Sequence, residues 1–263
     1  MVSYLIVGSA SLVAAGITLY SGFGLGTLLM PVFAMFFPVE VAIAATAVVH
    51  ASNNVFKVAV VGRHANLSLV LGFGLPAVVA AFIGAAALGY ASGLEPLASY
   101  SIGPRNAVIT PVKLVAALLI FIFAMFELLP TLRNLRFDHR HLFLGGFLSG
   151  FFGGLSGHQG ALRSAFLVKT GMSTETFVGT NAVIGFMVDM ARILTYGAAF
   201  ILAGTAGPIG PSQWTLVLTA TGAAFVGVLI GRRFLKKIHM KTVQTFVAVL
   251  LLGIALALGA GIV

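Results

Sequence analysis

Apolar residues run along this chain in blocks much longer than a water-soluble helix needs, and polar residues gather at the ends of the blocks or in thin stripes within them. Residues 39–62, 67–91, 108–129, 174–200, 212–230 and 242–262 are each long enough to cross about 30 Å of hydrocarbon as a helix. Two further apolar regions, 3–37 and 142–172, are interrupted by glycine-rich breaks. These are Ser21-Gly22-Phe23-Gly24-Leu25-Gly26 and Gly153-Gly154-Leu155-Ser156-Gly157-His158-Gln159-Gly160. The pieces after the breaks, 27–37 and 161–172, reach only about half way through a bilayer at about 1.5 Å per residue.

The order of one broken segment followed by three spans occurs twice. Aligning Gly26 with Gly160 without gaps brings Thr46 onto Thr180 in the following helix. The pattern therefore predicts an all-α polytopic membrane protein built from two transmembrane repeats, residues 1–130 and 131–263.

Charge decides how the breaks are threaded. If each broken segment crosses once, giving eight crossings, the basic loop residues divide almost evenly between the two faces. If each dips to the midplane and returns, loops 63–66, 130–141 and 231–241 share one face. That face then carries Arg63, Arg133, Arg136, Arg140, Arg232, Arg233, Lys236, Lys237 and Lys241, against Arg105 on the other. Basic loops stay cytoplasmic, so the re-entrant threading is favoured. Each half then has three crossings, an odd number, which inverts the second half relative to the first, as in many secondary transporters. Both termini are expected on the periplasmic face of a bacterial inner membrane.

Composition narrows the function classes. With 59% hydrophobic and 8% charged residues, the chain has more apolar surface than a soluble fold of 263 residues can hide. The formal net charge of +9 lies largely in short loops, where it reads as an orientation signal, not a nucleic-acid footprint. The absence of cysteine excludes disulfides and thiolate chemistry. Met1 to Tyr20 has no basic leader and is expected to be retained. No HExxH, GxSxG or nucleotide-binding loop occurs, so neither an enzyme nor direct ATP coupling is expected, and no cofactor or metal is called for.

Candidate chemistry lies at the breaks and on two helices. Non-helical backbone at membrane depth must be satisfied by protein or by a watery cavity. In the re-entrant threading, the half-helices bring their N-termini together near the midplane, an arrangement that suits an anion. Ser21, Gly24 and Gly26 belong to the first break, and Ser156, His158, Gln159 and Gly160 to the second. His50, Asn53, Asn54 and Lys57 form a polar stripe on one helix, and Asn181, Gly185, Asp189 and Arg192 a similar stripe on its counterpart. Arg163, one step inside the second half-helix, is the leading substrate contact, since a guanidinium can grip an oxyanion with two hydrogen bonds. Lys57 either serves the site or snorkels to water. Asp189 either pairs with Arg192 or reaches Lys57 across the halves, and His50 and His158 either carry protons or donate hydrogen bonds. Lys57, Arg163 and Arg192 outnumber Asp189, a surplus that a small anionic substrate would compensate.

Taken together, Gly22-Phe23-Gly24-Leu25-Gly26, Pro31, Ala45-Thr46, the second copy at Gly153–Gly160 and Gly179-Thr180-Asn181 resemble the sulfite exporter TauE/SafE family of bacterial membrane permeases. The resemblance covers about residues 5–260 and includes the duplicated layout. It implies a secondary carrier, working without ATP, for sulfite, a sulfonate, sulfoacetate or a related organic anion, with a proton or sodium as possible coupling ion. His158-Gln159 within the second glycine run and the basic Arg163 depart from the family's usual pattern. A passive anion channel of the same architecture and a carrier of non-sulfur carboxylates are the alternatives.

Overall fold

A computed structural model of the chain describes residues 1–21, 25–103, 105–133, 135–202, 209–234 and 240–262. The first half contains α1 (Val2–Ser21), α2 (Leu25–Ala34), α3 (Val39–Val61), α4 (Leu67–Ser92) and α5 (Pro111–Leu128). The second contains α6 (Leu142–Ser156), α7 (Gly160–Leu167), α8 (Thr174–Leu202), α9 (Pro211–Phe234) and α10 (Met240–Gly259). Among the described residues, five stretches, Val39–His64, Leu67–Ser92, Pro111–Leu128, Thr174–Ala199 and Pro211–Gly231, are long and apolar enough to cross a membrane. The sixth expected span corresponds to α10, whose Ala248–Gly259 stretch is apolar. Exposed Leu5, Val13, Leu71, Val79, Leu118, Phe143, Leu218 and Leu256 cover the outside of the bundle. Water would penalise that surface and lipid tails would not.

Local signals explain the helix ends. Pro111 at the start of α5 has no N–H to leave unpaired, and Thr110 before it accepts a hydrogen bond from Lys113 N at 3.3 Å. Asn66 accepts from Leu69 N at 3.1 Å and opens α4. Gly157 ends α6 at φ +83°, a conformation that only glycine adopts without strain.

Two features depart from the sequence expectation. Helix α4 contains a π-turn at Val70–Gly74. The connection after it, expected as a loop leading into a helix at residue 108, forms an antiparallel hairpin of β1 (Ala98–Ile102) and β2 (Arg105–Ile109). The hairpin is pinned to the end of α10 by Val108 N donating to Gly261 O at 3.0 Å and Tyr100 Oη donating to Ala260 O at 2.5 Å.

Helix pairing crosses between the halves. Gly146, Gly150 and Gly154 of α6 lie against the backbone of Phe73, Ala77 and Ala81 of α4, so these helices run parallel. A side chain at any of the three glycines would occupy the position of a carbonyl oxygen on α4. This is the small-residue packing that lets membrane helices touch backbone to backbone. In the same sense α1 runs parallel to α9, with Tyr4 Oη 2.8 Å from Thr215 Oγ1 and Leu12 against Gly227. Helix α3 runs antiparallel to α8, His50 meeting Asp189, Asn54 meeting Gly185 and Val61 meeting Gly179. Helix α5 packs on α10, with Ala117 against Gly259. Exchanging the first five helices for the last five maps this set of pairs onto itself.

The second broken segment is a helical hairpin. Ser149 Oγ of α6 donates to Gln159 O at 3.0 Å, and Gly145, near the start of α6, lies against Phe166 near the end of α7. Phe137 N donates to Ala165 O at 3.2 Å, so the chain enters and leaves this hairpin at the same end. In the first half, Gly26 at the start of α2 lies beside Thr46 and His50, half way along α3, and α2 descends from there toward Val39. Loop 62–66 meets the start of α8, where Asn66 N donates to Thr180 Oγ1 at 2.9 Å.

Candidate functional site

The two breaks touch. A side chain on Gly26 would lie 3.1 Å from Gly157 O and 3.7 Å from the His50 ring. Around this junction α3, α7, α8 and the turn before α7 converge, and Asp189, fully buried on α8, is the hub. His50 Nδ1 lies 2.5 Å from Asp189 Oδ2, and Asn54 Nδ2 donates to the same oxygen at 3.0 Å. Gln159 Nε2 donates to Oδ1 at 3.1 Å, and Arg192 Nη2 pairs with Oδ1 at 3.0 Å. A nitrogen and an oxygen lone pair cannot face each other at 2.5 Å, so a proton lies between His50 and Asp189. Which of the two atoms holds it depends on the charge around them.

Arg163 is joined to this hub at one remove. Its Nη1 donates to Gln159 Oε1 at 2.9 Å and its Nε donates to Asn181 Oδ1 at 2.7 Å. Asn181 in turn donates to Phe177 O at 3.0 Å. Gln159 therefore spans from Asp189 to Arg163 with its two amide atoms. Gly185 makes room for the arrangement, since a side chain there would come within 2.7 Å of Asn54 Nδ2 and 3.3 Å of Arg163 Nη1.

Both arginines are buried, Arg163 at 2% and Arg192 at 0% exposure, and Arg192 is ion-paired with Asp189. Arg192 Nε, His158 Nε2 and both amide atoms of Asn53 are buried without a hydrogen-bond partner among the described residues. Groups of this kind are desolvated at a cost and suit a polar ligand.

The predicted residues fall into distinct places. His50, Asn54, Gln159, Arg163, Asn181, Asp189 and Arg192 form one network. Ser156 and His158 flank it, His158 Nδ1 lying 3.1 Å from Ser156 Oγ while its ring stacks on Phe123 at 5.3 Å. Gly26 lines the contact between the breaks, and Gly160 is the first residue of α7. Asn53 is buried one residue from Asn54. Gly24 and the Ser21 side chain lie outside the described residues. Of the partners considered for Asp189, Arg192 is present and Lys57 is not; Lys57 lies two turns from His50 and lines a separate cavity.

Two contributors are absent from the sequence expectation. Tyr196 Oη donates to Gly154 O at 2.5 Å and holds the end of α6 against α8, and Ser149 anchors Gln159 through its carbonyl. Both are ordinary hydroxyls inside apolar helices, and their partners are backbone oxygens that no side-chain pattern announces. Among the described residues, no group of three or more His, Cys, Asp or Glu side chains comes together to hold a metal.

A family model described as sulfite exporter TauE/SafE matches residues 7–258. No curated protein and no solved structure matches the chain.

Proposed function

The chain belongs to the sulfite exporter TauE/SafE family, whose members are membrane transporters of sulfite-type anions, and from that premise we propose that it is a secondary carrier whose anion site is the junction of the two helix breaks. One observation carries this reading: two buried guanidinium groups share one buried polar network where the breaks touch, Arg192 paired directly with Asp189 and Arg163 linked to it through Gln159. An oxyanion there would take hydrogen bonds from Arg163, from Arg192 Nε and from His158 Nε2 or Asn53, and would offset the surplus charge. Sulfite, a sulfonate or sulfoacetate fits this chemistry, since each presents a compact trio of negative oxygens.

The short contact between His50 and Asp189 supports a proton over sodium as the coupling ion. Adding a proton to this pair weakens its hold on Arg192 and raises the positive charge seen by an arriving anion, so proton and anion would bind cooperatively. The carrier is proposed to lie in the inner membrane of a bacterium with loops 63–66, 130–141 and 231–241 in the cytoplasm, a placement supported by their basic residues. The inverted arrangement of the halves is supported by the antiparallel run of the equivalent helices α3 and α8 and by the return of α7 along α6.

Flux of radiolabelled sulfite, sulfate, taurine and acetate into vesicles containing the purified protein tests the reading. Saturable uptake of a sulfur oxyanion, raised by an inward proton gradient and lost in Arg163→Gln, is expected. Equal, non-saturating flux of all four in wild type and variant would refute it.

A further inference from the structure

Lys57 is an unusual residue in this fold. It is 8% exposed, yet it has no hydrogen bond or ion pair among the described residues. It lines a cavity of about 290 Å³ that opens beside the start of α8, together with Phe56, Arg63, His64, Thr174 and Glu175. None of the residues of the buried network lines this cavity. Arg63, His64, Thr174 and Glu175 are exposed, so they form the mouth, and Lys57 stands on the inner wall.

We propose that this cavity is a second anion site, a loading position for the same sulfur oxyanion on the face that carries the basic loops. The inference rests on the transport reading and adds a place and a side to it. Three observations carry it. The Lys57 side chain is 8% exposed and has no protein partner among the described residues, so its ammonium can turn to the cavity, where an anion would pair with it. The charged lining is net positive, Lys57 and Arg63 against Glu175. The buried network is also close by: Asn53 and Asn54 lie one turn from Lys57 along α3, and Arg163 is near enough to act electrostatically on Lys57.

The volume indicates how the anion would be held. Each water occupies about 30 Å³ of liquid, and a four-heavy-atom oxyanion takes the space of roughly three or four waters. A cavity of about 290 Å³ therefore accepts the ion with part of its hydration shell. The arginine network beyond is nearly closed to solvent and would take the ion with less water. Loading at Lys57 would divide dehydration into two smaller steps.

Initial rates of sulfite flux in orientation-sorted vesicles, with sulfite supplied on one face at a time, test the proposal. Lys57→Gln should raise the half-saturating concentration at least fivefold on the basic-loop face, leave the maximal rate within twofold and leave the opposite face unchanged. Lys57→Arg should restore affinity, and Glu175→Gln should lower the half-saturating concentration on that face. A Lys57→Gln protein that folds and shows no change on either face overturns the loading site. An equal change on both faces also overturns it, because Lys57 would then belong to the central site. Absence of saturable sulfite flux in the wild type overturns the transport reading and this proposal together.

Discussion

Asp189 accepts contacts from His50, Asn54, Gln159 and Arg192, and each comes from a different position around the carboxylate. Replacing it by asparagine leaves Arg192 buried without its counter-ion, a change that typically costs about 3–5 kcal/mol. Asp189→Asn should therefore lower the melting temperature in detergent by several degrees, and added sulfite should recover part of the loss if an anion binds nearby. A melting temperature equal to wild type would mean that Arg192 finds another partner. Arg163→Lys keeps the charge but cannot reach both Asn181 and Gln159 in the same plane. Its sulfite affinity is expected to fall about tenfold, close to 1.4 kcal/mol, measured by calorimetry. The polar stripes that supply these residues are visible in the sequence because ionisable side chains stand out in apolar helices. The pairings are not visible, since His50 and Asp189 lie 139 positions apart and meet through the packing of α3 on α8.

Glycine occupies three different settings in the bundle. Gly150 touches the backbone of Ala77, Gly157 adopts φ +83°, and elsewhere in the bundle Gly222 on α9 faces open space. The same substitution should then give different results at each position. Gly150→Ala overpacks a backbone contact and should cost about 1–3 kcal/mol or more. Gly222→Ala should be neutral or stabilising by up to about 1 kcal/mol, because alanine favours the helix. Thermal unfolding of the two variants side by side measures the contrast, and equal effects would contradict the close contact between α4 and α6. At this scale the spans are legible to within a few residues, since apolar length is a direct physical requirement of the bilayer. The hairpin at 98–109 was hidden because its apolar Ala107-Val108-Ile109 runs straight into the apolar helix that follows Pro111. The π-turn at Val70–Gly74 is hidden for a similar reason, as its residues are apolar on every side.

For the molecule as a whole, the threading can be read with cysteine chemistry because the natural chain has no cysteine. Single substitutions Phe37→Cys and Ser173→Cys lie at equivalent places, where each half-helix has ended and the next span begins. With inverted halves, a membrane-impermeant maleimide should label position 173 from the cytoplasmic side and position 37 from the outside. Labelling of both from one side would remove the inversion. Repetition and loop charge were sufficient to suggest this plan from the sequence. The partnership of helices was not accessible, because apolar side chains in lipid carry no address for the neighbour they will meet.

The glycine seams have a mechanical consequence. Helix α6, from the second half, is locked along α4 of the first, and α1, from the first half, runs with α9 of the second. In the proposed carrier cycle the bodies that slide past each other would then be mixed blocks, each holding a helix of the broken segment from one half and a long helix from the other. Such blocks cannot swing apart like two leaves of a door along the sequence boundary. In the proposed carrier the slip plane would then run between them, through the seam where His50 grips Asp189.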